Sequence, residues 1–343
     1  MPNSVEKLHI VLDAMGGDFA PANEVQGAFD ALQESNNRFH VVLVGKKEVI
    51  QQEIEKRKSH QADISANISI VDAQEIITMH DSPVAALKQK PNSSLAIGLG
   101  LQKNNSAHAF VSAGNTGAVA AASTIMLGRI PGVTRPTIAA IFPSTSGPTL
   151  LIDAGAVIDC KPHFLYEFGL MGSIYSEYIF QKKNPRIGLL NVGEEESKGD
   201  ELTKETYELF KNSKAKINFV GNVEGRDILN GKADVVVCDG FIGNVLLKFG
   251  ESVPTYLKKK FQEYAAQGIF QKLLMGIMRK PLRTIFKDMD YQEYGGVPLL
   301  GVNGITIIGH GSSTPKAIKN MLFRAEEMFN KKINEHIQKI IQK

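Results

Sequence analysis

The sequence predicts an α/β fold with a mostly parallel sheet that carries helices on both faces. Short apolar runs alternate along the chain with stretches of helical periodicity, which is the rhythm of βα units. Runs such as Val235 to Val237 are apolar at every position, as is typical of strands buried on both faces. With 343 residues, 43% of them hydrophobic, the chain is long enough to bury a large core.

The first elements are read as strand, helix and strand at Leu8 to Leu12, Glu24 to Gln33 and His40 to Val44. Later strand centres are predicted at Val71, Phe110-Val111, Ile138 to Phe142, Leu150 to Ile152, Ile187 to Leu190, Phe219-Val220, Val235 to Val237 and Ile305 to Ile308. Intervening helices are predicted at Leu95 to Gln102, Gly117 to Leu127, Phe164 to Ile179, Glu201 to Phe210 and Val245 to Phe261.

The last helix has a clear predicted start. Thr314 can cap it and Pro315 suits its first turn. Apolar residues then recur at helical spacing at Ile318, Met321 and Leu322, so this helix is expected to pack on the sheet.

Residues 268–290 interrupt the βα rhythm and contain no strand signal. Apolar residues fall at helical spacing on both sides of Pro281, which predicts two short helices that are kinked or separated there. Five basic residues against two acidic ones give this segment a charge of +3, which equals the net charge of the whole chain. The segment is therefore predicted to be an amphipathic helical hairpin with a basic surface.

Two interpretations of this hairpin remain open. In the first, it packs on its own core or across a dimer. Alternatively, it projects, its apolar residues enter lipid, and its cations meet anionic headgroups or an acidic carrier protein. The residues assigned to that contact are Leu273, Leu274, Ile277, Met278, Arg279, Lys280, Arg283 and Lys287.

Composition narrows the function classes. Lys and Arg number 39 against 36 Asp and Glu, a balance that does not indicate nucleic acid as a partner. Cys160 and Cys238 lack C-x-x-C spacing, so neither a disulfide framework nor a zinc site is indicated, and a reducing cytoplasm fits best. The eight histidines lack metal-site spacing, and no G-x-G-x-x-G or P-loop motif is present. We therefore predict no cofactor and no metal.

Six of the predicted strands are each followed by a short loop rich in glycine and polar residues, which we call a joint. Helices start at these joints, and the starts of helices offer backbone N–H groups to anions. The joints lie at residues 13–18, 112–117, 191–200, 221–227, 239–244 and 309–314. Because an open α/β sheet gathers such joints at one edge, we expect one phosphate-using site. Its predicted binding residues are Asp13, Gly16, Gly17, Asp18, Ser112, Gly114, Asn115, Thr116, Gly117, Asn191, Gly193, Glu194, Asp239, Gly240, Gly243, His310, Gly311 and Ser312.

Two side chains in these joints suit charge stabilisation. Lys198 follows three glutamates in the loop after a strand, and a lysine can hold phosphate or polarise a carbonyl oxygen. Asn244 can donate to an oxyanion without titrating. The alternatives are a solvated charged loop around Lys198, a helix cap at Asn244 and a structural role for His310.

At these residues the chain resembles the PlsX family of bacterial phosphate acyltransferases from end to end. The resemblance rests on these motifs: residues 13–18 with Ala20-Pro21, residues 111–117, Arg135-Pro136, residues 188–195, residues 221–227, residues 239–244, Gly295-Gly296 and residues 310–312. Two positions depart from the family pattern, since Val157 stands where an asparagine is usual and His163 where an acidic residue is common.

The resemblance implies transfer of a long fatty acyl group from acyl carrier protein to inorganic phosphate. It implies a single three-layer α/β/α domain over residues 1–343, similar to phosphotransacetylases and isocitrate-dehydrogenase-like proteins. It further implies a homodimer at the inner face of the membrane that supplies a membrane-bound glycerol-phosphate acyltransferase. In this interpretation Lys198 stabilises charge, Asn244 orients phosphate or holds the oxyanion, and the glycine joints line the anion site.

Two other classes of protein compete with this interpretation. A decarboxylating dehydrogenase of related architecture would need a nicotinamide site and clustered aspartates for a metal. A non-catalytic membrane adaptor would use only the segment around Pro281 to recruit carrier protein or lipid enzymes.

Overall fold

The structure is a computed structural model that describes residues 7–58 and 62–342. Its strands are β1 Leu8–Asp13, β2 Phe39–Gly45, β3 Ile68–Asp72, β4 Ala109–Ser112, β5 Thr137–Phe142, β6 Thr149–Ile152, β7 Arg186–Leu190, β8 Asn218–Val223, β9 Val235–Val237, β10 Val297–Leu300 and β11 Ile305–Ile308. Its α-helices are α1 Ala22–Glu34, α2 Lys47–Lys58, α3 Ala62–Ser65, α4 Pro83–Gln89, α5 Ser94–Lys103, α6 Thr116–Leu127, α7 Pro162–Ile179, α8 Glu201–Lys211, α9 Asp227–Asn230, α10 Gly240–Ala265, α11 Ile269–Ile285, α12 Pro315–Asn330 and α13 Ile333–Ile341.

The strands form one sheet of eleven in the described chain, in the order β3-β2-β1-β4-β11-β10-β5-β6-β9-β7-β8. Only the pairings of β10 with β11, β10 with β5 and β5 with β6 are antiparallel among the described strand pairs. The others are parallel, which confirms the predicted mostly parallel sheet.

Helices cover both faces of this sheet. Successive residues of one strand enter different cores: Leu12 packs with α1 and α12 on one face, whereas Val11 packs with α5 and α6 on the other. The run Val235 to Val237 alternates in the same way between two buried clusters. The predicted three-layer α/β/α arrangement, with strands buried on both sides, is confirmed.

The three antiparallel pairings divide the sheet by strand direction. The carboxyl ends of β1, β4 and β11 lie together, since Asp13 pairs with Ser112 and Ser112 with Ile308. The carboxyl ends of β6, β7, β8 and β9 point the opposite way because β5 and β6 run antiparallel. We call these the first edge and the second edge.

Three features of individual elements differ from the prediction. The helix that starts at Pro315 is followed by α13, and the Thr314 hydroxyl at its start donates to the Gln292 side chain instead of capping the helix. Strand β10 was not predicted, because its four residues include Pro298 and a proline normally argues against a ladder strand.

Residues 268–290 do not form the predicted hairpin of two short helices, because the hairpin that the structure shows consists of α10 and α11. Helix α11 runs without a break through Pro281, so this proline does not separate two helices, and the turn of the hairpin lies at residues 266–268. A proline removes one helical hydrogen bond, and the apolar periodicity on both of its sides favours continuation. None of the described residues of α11 is buried, and Ile269 and Ile277 are 82% and 74% exposed. The structure thus excludes packing of this helix on the protein's own core.

The helices of the described chain include none with the length and apolar character needed to span a bilayer.

Candidate functional site

The first edge is built around a buried carboxylate, Asp13 at the end of β1. Its Oδ2 accepts a 2.8 Å hydrogen bond from the Ser112 hydroxyl, and its Oδ1 accepts one of 3.1 Å from the Met15 N–H. Burial raises the pKa of Asp13, while hydrogen bonds from Ser94, Ser112 and Met15 oppose that rise. Ser112 in turn accepts from the Gly114 N–H at 3.0 Å, so one network joins β1 to β4.

A second buried carboxylate, Glu24 of α1, stands beside Asp13 and Asp18. Burial, followed by the charges of Asp13 and Asp18, raises the pKa of Glu24 to about 8. Its Oε2 is enclosed and has no hydrogen-bond partner among the described residues. No cation pairs with these three carboxyl groups within the described ranges, and with a pKa of about 8 Glu24 is mostly protonated at neutral pH.

Close backbone packing explains the glycines here. A Cβ on Gly16 would lie 2.8 Å from Asp13 Oδ2 and from the Gly114 nitrogen. One on Gly311 would lie 2.7 Å from Asp18 Oδ1, and the Asp18 N–H already donates to the Gly311 carbonyl at 2.8 Å. The joints after β1, β4 and β11 therefore meet, as predicted.

Several groups predicted to bind phosphate here are engaged within the protein. Asn115 caps α6 by accepting from the Ala118 N–H at 3.1 Å, and its amide nitrogen donates to the Met79 carbonyl at 3.1 Å. His310 Nδ1 and the Ser312 hydroxyl lie 2.7 Å apart. Thr116 and Gly117 are exposed at the start of α6.

The second edge contains a third buried carboxylate, Asp153, which follows β6. It accepts from the N–H groups of Ile138 at 2.9 Å, Ala156 at 2.9 Å and Val157 at 2.6 Å. Burial raises the pKa of Asp153, and these three hydrogen bonds oppose the rise. Because Val157 acts through its backbone, its departure from the family pattern leaves this turn intact.

The N-terminus of α10 packs against this turn and offers no N–H group to an anion. The Gly240 N–H donates to the Val157 carbonyl at 2.8 Å. The Asp239 carboxylate accepts from Phe241 at 2.9 Å and Ile242 at 3.0 Å, and its carbonyl accepts from Gly243. The prediction that these N–H groups face phosphate is therefore wrong: Asp239 occupies them as the helix cap.

Asn244 lies in the second turn of α10 and is not its cap. Its side chain is exposed and stands against Gly155, where an added Cβ would come within 3.4 Å of Asn244 Cβ. Gly243, one residue earlier, is held so closely that a Cβ there would lie 1.8 Å from the Asp153 carbonyl oxygen. The turn at residues 153–157, which we call the Asp153 turn, thus fixes the position of the first turns of α10 and with them the Asn244 side chain.

The loop after β7 presents Lys198 at the same edge. Asn191 shapes this loop, because its amide nitrogen donates to the Lys198 carbonyl at 3.1 Å and its Oδ1 accepts from the Val192 N–H at 2.8 Å. Gly193 is buried, and a Cβ there would lie 3.0 Å from Lys198 Cγ. Asn191 and Gly193 therefore position the lysine.

The charges around Lys198 are largely neutralised by other cations. Glu194 pairs with Lys232 at 2.9 Å, and Glu196 pairs with Lys211 at 2.9 Å. The Lys198 ammonium is exposed and makes no ion pair with any residue that the structure describes. Lys198 is therefore a cation available to an anionic ligand. Its loop follows β7, and β7 pairs with β9, the strand that leads to Asn244.

The prediction that all the joints line one crevice is wrong for a single chain. Lys198 and Asn244 lie at the second edge, whereas the joints of Gly16, Gly114 and Gly311 lie at the first. The physical reason is that strand direction reverses three times, between β11 and β10, between β10 and β5, and between β5 and β6, so the carboxyl ends of β6 to β9 point opposite to those of β1, β4 and β11. The glycine joints therefore do not surround Lys198 within one chain.

An apolar cavity of about 460 Å³ lies along α10, beyond Asn244. Its walls come from the end of β5, from α9, from the middle of α10 and from the chain that follows α11. This volume is within the usual range for ligand pockets.

The sequence interpretation missed Asp153 and Glu24. Asp153 ends an apolar strand before Gly155, which is the same signal that identified the other joints, whereas Glu24 sits in a helix pattern that reveals nothing of its burial.

The cysteines are unreactive by environment, since burial raises the pKa of Cys160 to about 12 and that of Cys238 well above its usual value. The described residues contain no group of three or more His, Cys, Asp or Glu side chains arranged to hold a metal.

Comparison with known proteins connects this geometry to an enzyme family. Residues 8–336 match the family described as "Fatty acid synthesis protein". The "Phosphate acyltransferase" of Chlorobaculum parvum is 48% identical over 337 residues, covering 96% of this chain and 98% of that protein. The "Phosphate acyltransferase" of Halothermothrix orenii is 47% identical over 337 residues, covering 98% and 99%.

Solved structures agree with this chain in fold. The EutD phosphotransacetylase from Staphylococcus aureus superposes with a TM-score of 0.60 at 14% identity, covering 94% of each chain. At that identity the likeness concerns the fold alone.

Proposed function

This chain belongs to the PlsX family of phosphate acyltransferases, and on that premise we propose that its acyl donor is a long-chain thioester of acyl carrier protein. The reaction transfers the acyl group to inorganic phosphate and gives acyl phosphate, a precursor for phospholipid synthesis, and free carrier. The observation that carries the proposal is Lys198, an exposed and unpaired cation within the described chain, presented beside the helix of Asn244.

The proposed chemistry is direct attack of a phosphate oxygen on the thioester carbonyl carbon. A carbon–oxygen bond forms, negative charge develops on the carbonyl oxygen, and collapse of the intermediate breaks the carbon–sulfur bond. The carrier leaves as a thiolate, so no covalent enzyme intermediate is needed. Catalysis then rests on positioning and on stabilisation of charge.

Two side chains at the second edge supply these effects in our proposal. Lys198 neutralises phosphate and the developing oxyanion, since a flexible ammonium can follow the charge as it moves. Asn244 donates its amide hydrogens to the same oxygens from a position that the Asp153 turn holds. Phosphate is placed here because Lys198 is an exposed cation without an ion-pair partner among the described residues, whereas no cation pairs with Asp13, Asp18 or Glu24 at the first edge in the described chain. Phosphate binding by the first-edge joints stays a prediction.

The hairpin supports a carrier or membrane surface as the partner. Arg279, Lys280, Arg283 and Lys287 are exposed, and none has a carboxylate within ion-pair distance in the described chain. Leu273, Leu274, Ile277 and Met278 add an apolar stripe on α11, the helix that carries Arg279, Lys280 and Arg283. These four apolar side chains are 64%, 38%, 74% and 37% exposed. We propose that this surface meets anionic headgroups, which would let a homodimer deliver acyl phosphate to a membrane-bound acyltransferase.

The test of the proposed donor is release of carrier thiol from an acyl-carrier thioester, measured with and without phosphate. We expect thiol release that requires phosphate and that proceeds with a higher kcat/KM for the carrier thioester than for the corresponding coenzyme A thioester. Equal use of both donors would remove the carrier from the proposal, and release without phosphate would remove the acceptor.

A further inference from the structure

The cavity along α10 is apolar at nearly every wall. Phe142 at the end of β5, Leu229 of α9, and Leu246 and Val253 of α10 form its sides, and Phe286 and Met289 close it near the base of the hairpin. Such a lining favours a ligand without hydrogen-bonding groups, because a polar ligand would lose its bonds to water there.

Three polar side chains at the cavity, those of Glu251, Asp290 and Tyr294, are already paired with the protein. Glu251 accepts from Lys248 at 2.8 Å, and Asp290 lies 3.4 Å from Lys316. The Tyr294 hydroxyl donates to the Asp288 carbonyl at 2.7 Å. These pairings leave the cavity complementary to a hydrocarbon chain.

The cavity continues the helix face that carries Asn244. Leu247 follows Asn244 by three residues, and Glu251 and Pro254 follow at the next turns, so all four lie on one stripe of α10. Leu247, Glu251 and Pro254 line the cavity, which therefore starts one turn beyond Asn244, about 5 Å along the helix axis. A chain attached to a carbonyl held at Asn244 would point along this stripe.

Gly250 on α10 determines how closely the opposite wall of the cavity approaches the helix. A Cβ on Gly250 would lie 2.7 Å from Phe142 Cε1, so the aromatic ring rests directly on the helix backbone. Both residues line the cavity. A larger side chain at position 250 must displace the ring, which is partly exposed and forms part of the cavity wall.

We propose that this cavity receives the fatty acyl chain of the donor and that the contact between Gly250 and Phe142 sets its chain-length preference. The inference rests on the proposed function, since it assigns a binding site to the acyl group of that reaction. Each methylene buried in such a cavity strengthens binding about fourfold, so blocking room for about four methylenes changes selectivity on the order of 10²-fold.

The test compares octanoyl, dodecanoyl and hexadecanoyl thioesters of the carrier as donors. In Gly250→Leu we expect kcat/KM for hexadecanoyl, relative to octanoyl, to fall on the order of 10²-fold. Phe142→Ala should shift the ratio in the opposite direction, because it widens the cavity. Gly100→Leu is the matched control, as a Cβ on this glycine of α5 meets nothing within 4 Å, and it should keep the ratio of the unmodified protein.

The outcomes separate the inference from the proposed function. If the unmodified protein forms no acyl phosphate from any donor, the proposed function fails. If it does, and Gly250→Leu retains the chain-length ratio, the assignment of the cavity is overturned. Should Gly250→Leu fail to fold, as judged by thermal unfolding, Phe142→Ala decides: a shift toward longer donors supports the assignment, and an unchanged ratio contradicts it.

Discussion

Replacement of Lys198 by alanine separates catalysis from stability more cleanly than any other change at the second edge. The side chain is exposed and makes no ion pair with the described residues, so its removal deletes no packed contact beyond the neighbourhood of Gly193. Exposed substitutions of this kind change the free energy of unfolding by about 0.5 kcal/mol or less.

The expected loss of activity is much larger. A positioned donor that stabilises a developing oxyanion contributes about 10²- to 10³-fold to kcat, or about 3–4 kcal/mol. We therefore expect Lys198→Ala to lower kcat for acyl phosphate formation by at least 10²-fold, while its thermal unfolding midpoint stays close to that of the unmodified protein. The assay is steady-state release of carrier thiol at saturating phosphate, with unfolding followed by circular dichroism.

Lys204→Ala is the matched control, since Lys204 is an exposed lysine on α8, the helix that follows the same loop. It should leave both quantities unchanged. A kcat for Lys198→Ala within threefold of the unmodified value would refute the charge-stabilising role, and an equal loss in both variants would point to nonspecific surface charge.

Three further predictions concern packing, titration and the hairpin. Gly243→Ala should lower the free energy of unfolding by about 2 kcal/mol or more, because its Cβ would lie 1.8 Å from the Asp153 carbonyl oxygen; an unchanged unfolding midpoint would contradict the described turn. The pKa of Glu24 is raised to about 8 from 4.5, so its protonated form favours the fold, and this contribution is complete below pH 4.5 and lost as the pH rises through 8. Glu24→Gln should therefore unfold at a higher temperature than the unmodified protein at pH 8 but not at pH 5, and a difference that does not vary with pH would refute the titration. Ile277→Glu should weaken sedimentation with anionic liposomes without changing stability, because this side chain is 74% exposed. Ile125→Glu, at an exposed site on α6, is the control and should leave sedimentation unchanged. Equal binding of liposomes by both variants would show that the hairpin does not contact the membrane.

Apolar runs and helical periodicity predicted most elements of this fold, since burial on both faces leaves a pattern in local sequence. The run at Val235 to Val237 is the clearest case, and it became a strand buried on both sides. Strand β10 was missed by the sequence prediction because Pro298 argues locally against a strand. The pairing of Pro298 with Ile307 is decided by residues that are distant in the sequence.

The site was predicted less completely, because the order of strands in the sheet depends on distant residues. The six residues between Phe142 and Thr149 are too few for a parallel crossover, so they do indicate that β6 turns back along β5. Local sequence does not indicate that β10 lies between β11 and β5, yet this sets the direction of β5 and β6 relative to the strand that leads to Gly16. The choice of helix cap was also nonlocal: Asp239 and Asn244 both had suitable side chains, and packing of the Asp153 turn against Gly243 determined that the helix begins at Gly240.

The transfer of an acyl group to phosphate at Lys198 and Asn244 can be measured by incubating the unmodified protein, Lys198→Ala and Asn244→Ala with a hexadecanoyl-carrier thioester and radiolabelled phosphate. We expect the unmodified protein to form a labelled acyl phosphate that reacts with hydroxylamine, in equal amount to the released carrier thiol, and both variants to form it at least 10²-fold more slowly. Unlabelled products, or label incorporated at undiminished rates by both variants, would contradict the proposed reaction and site.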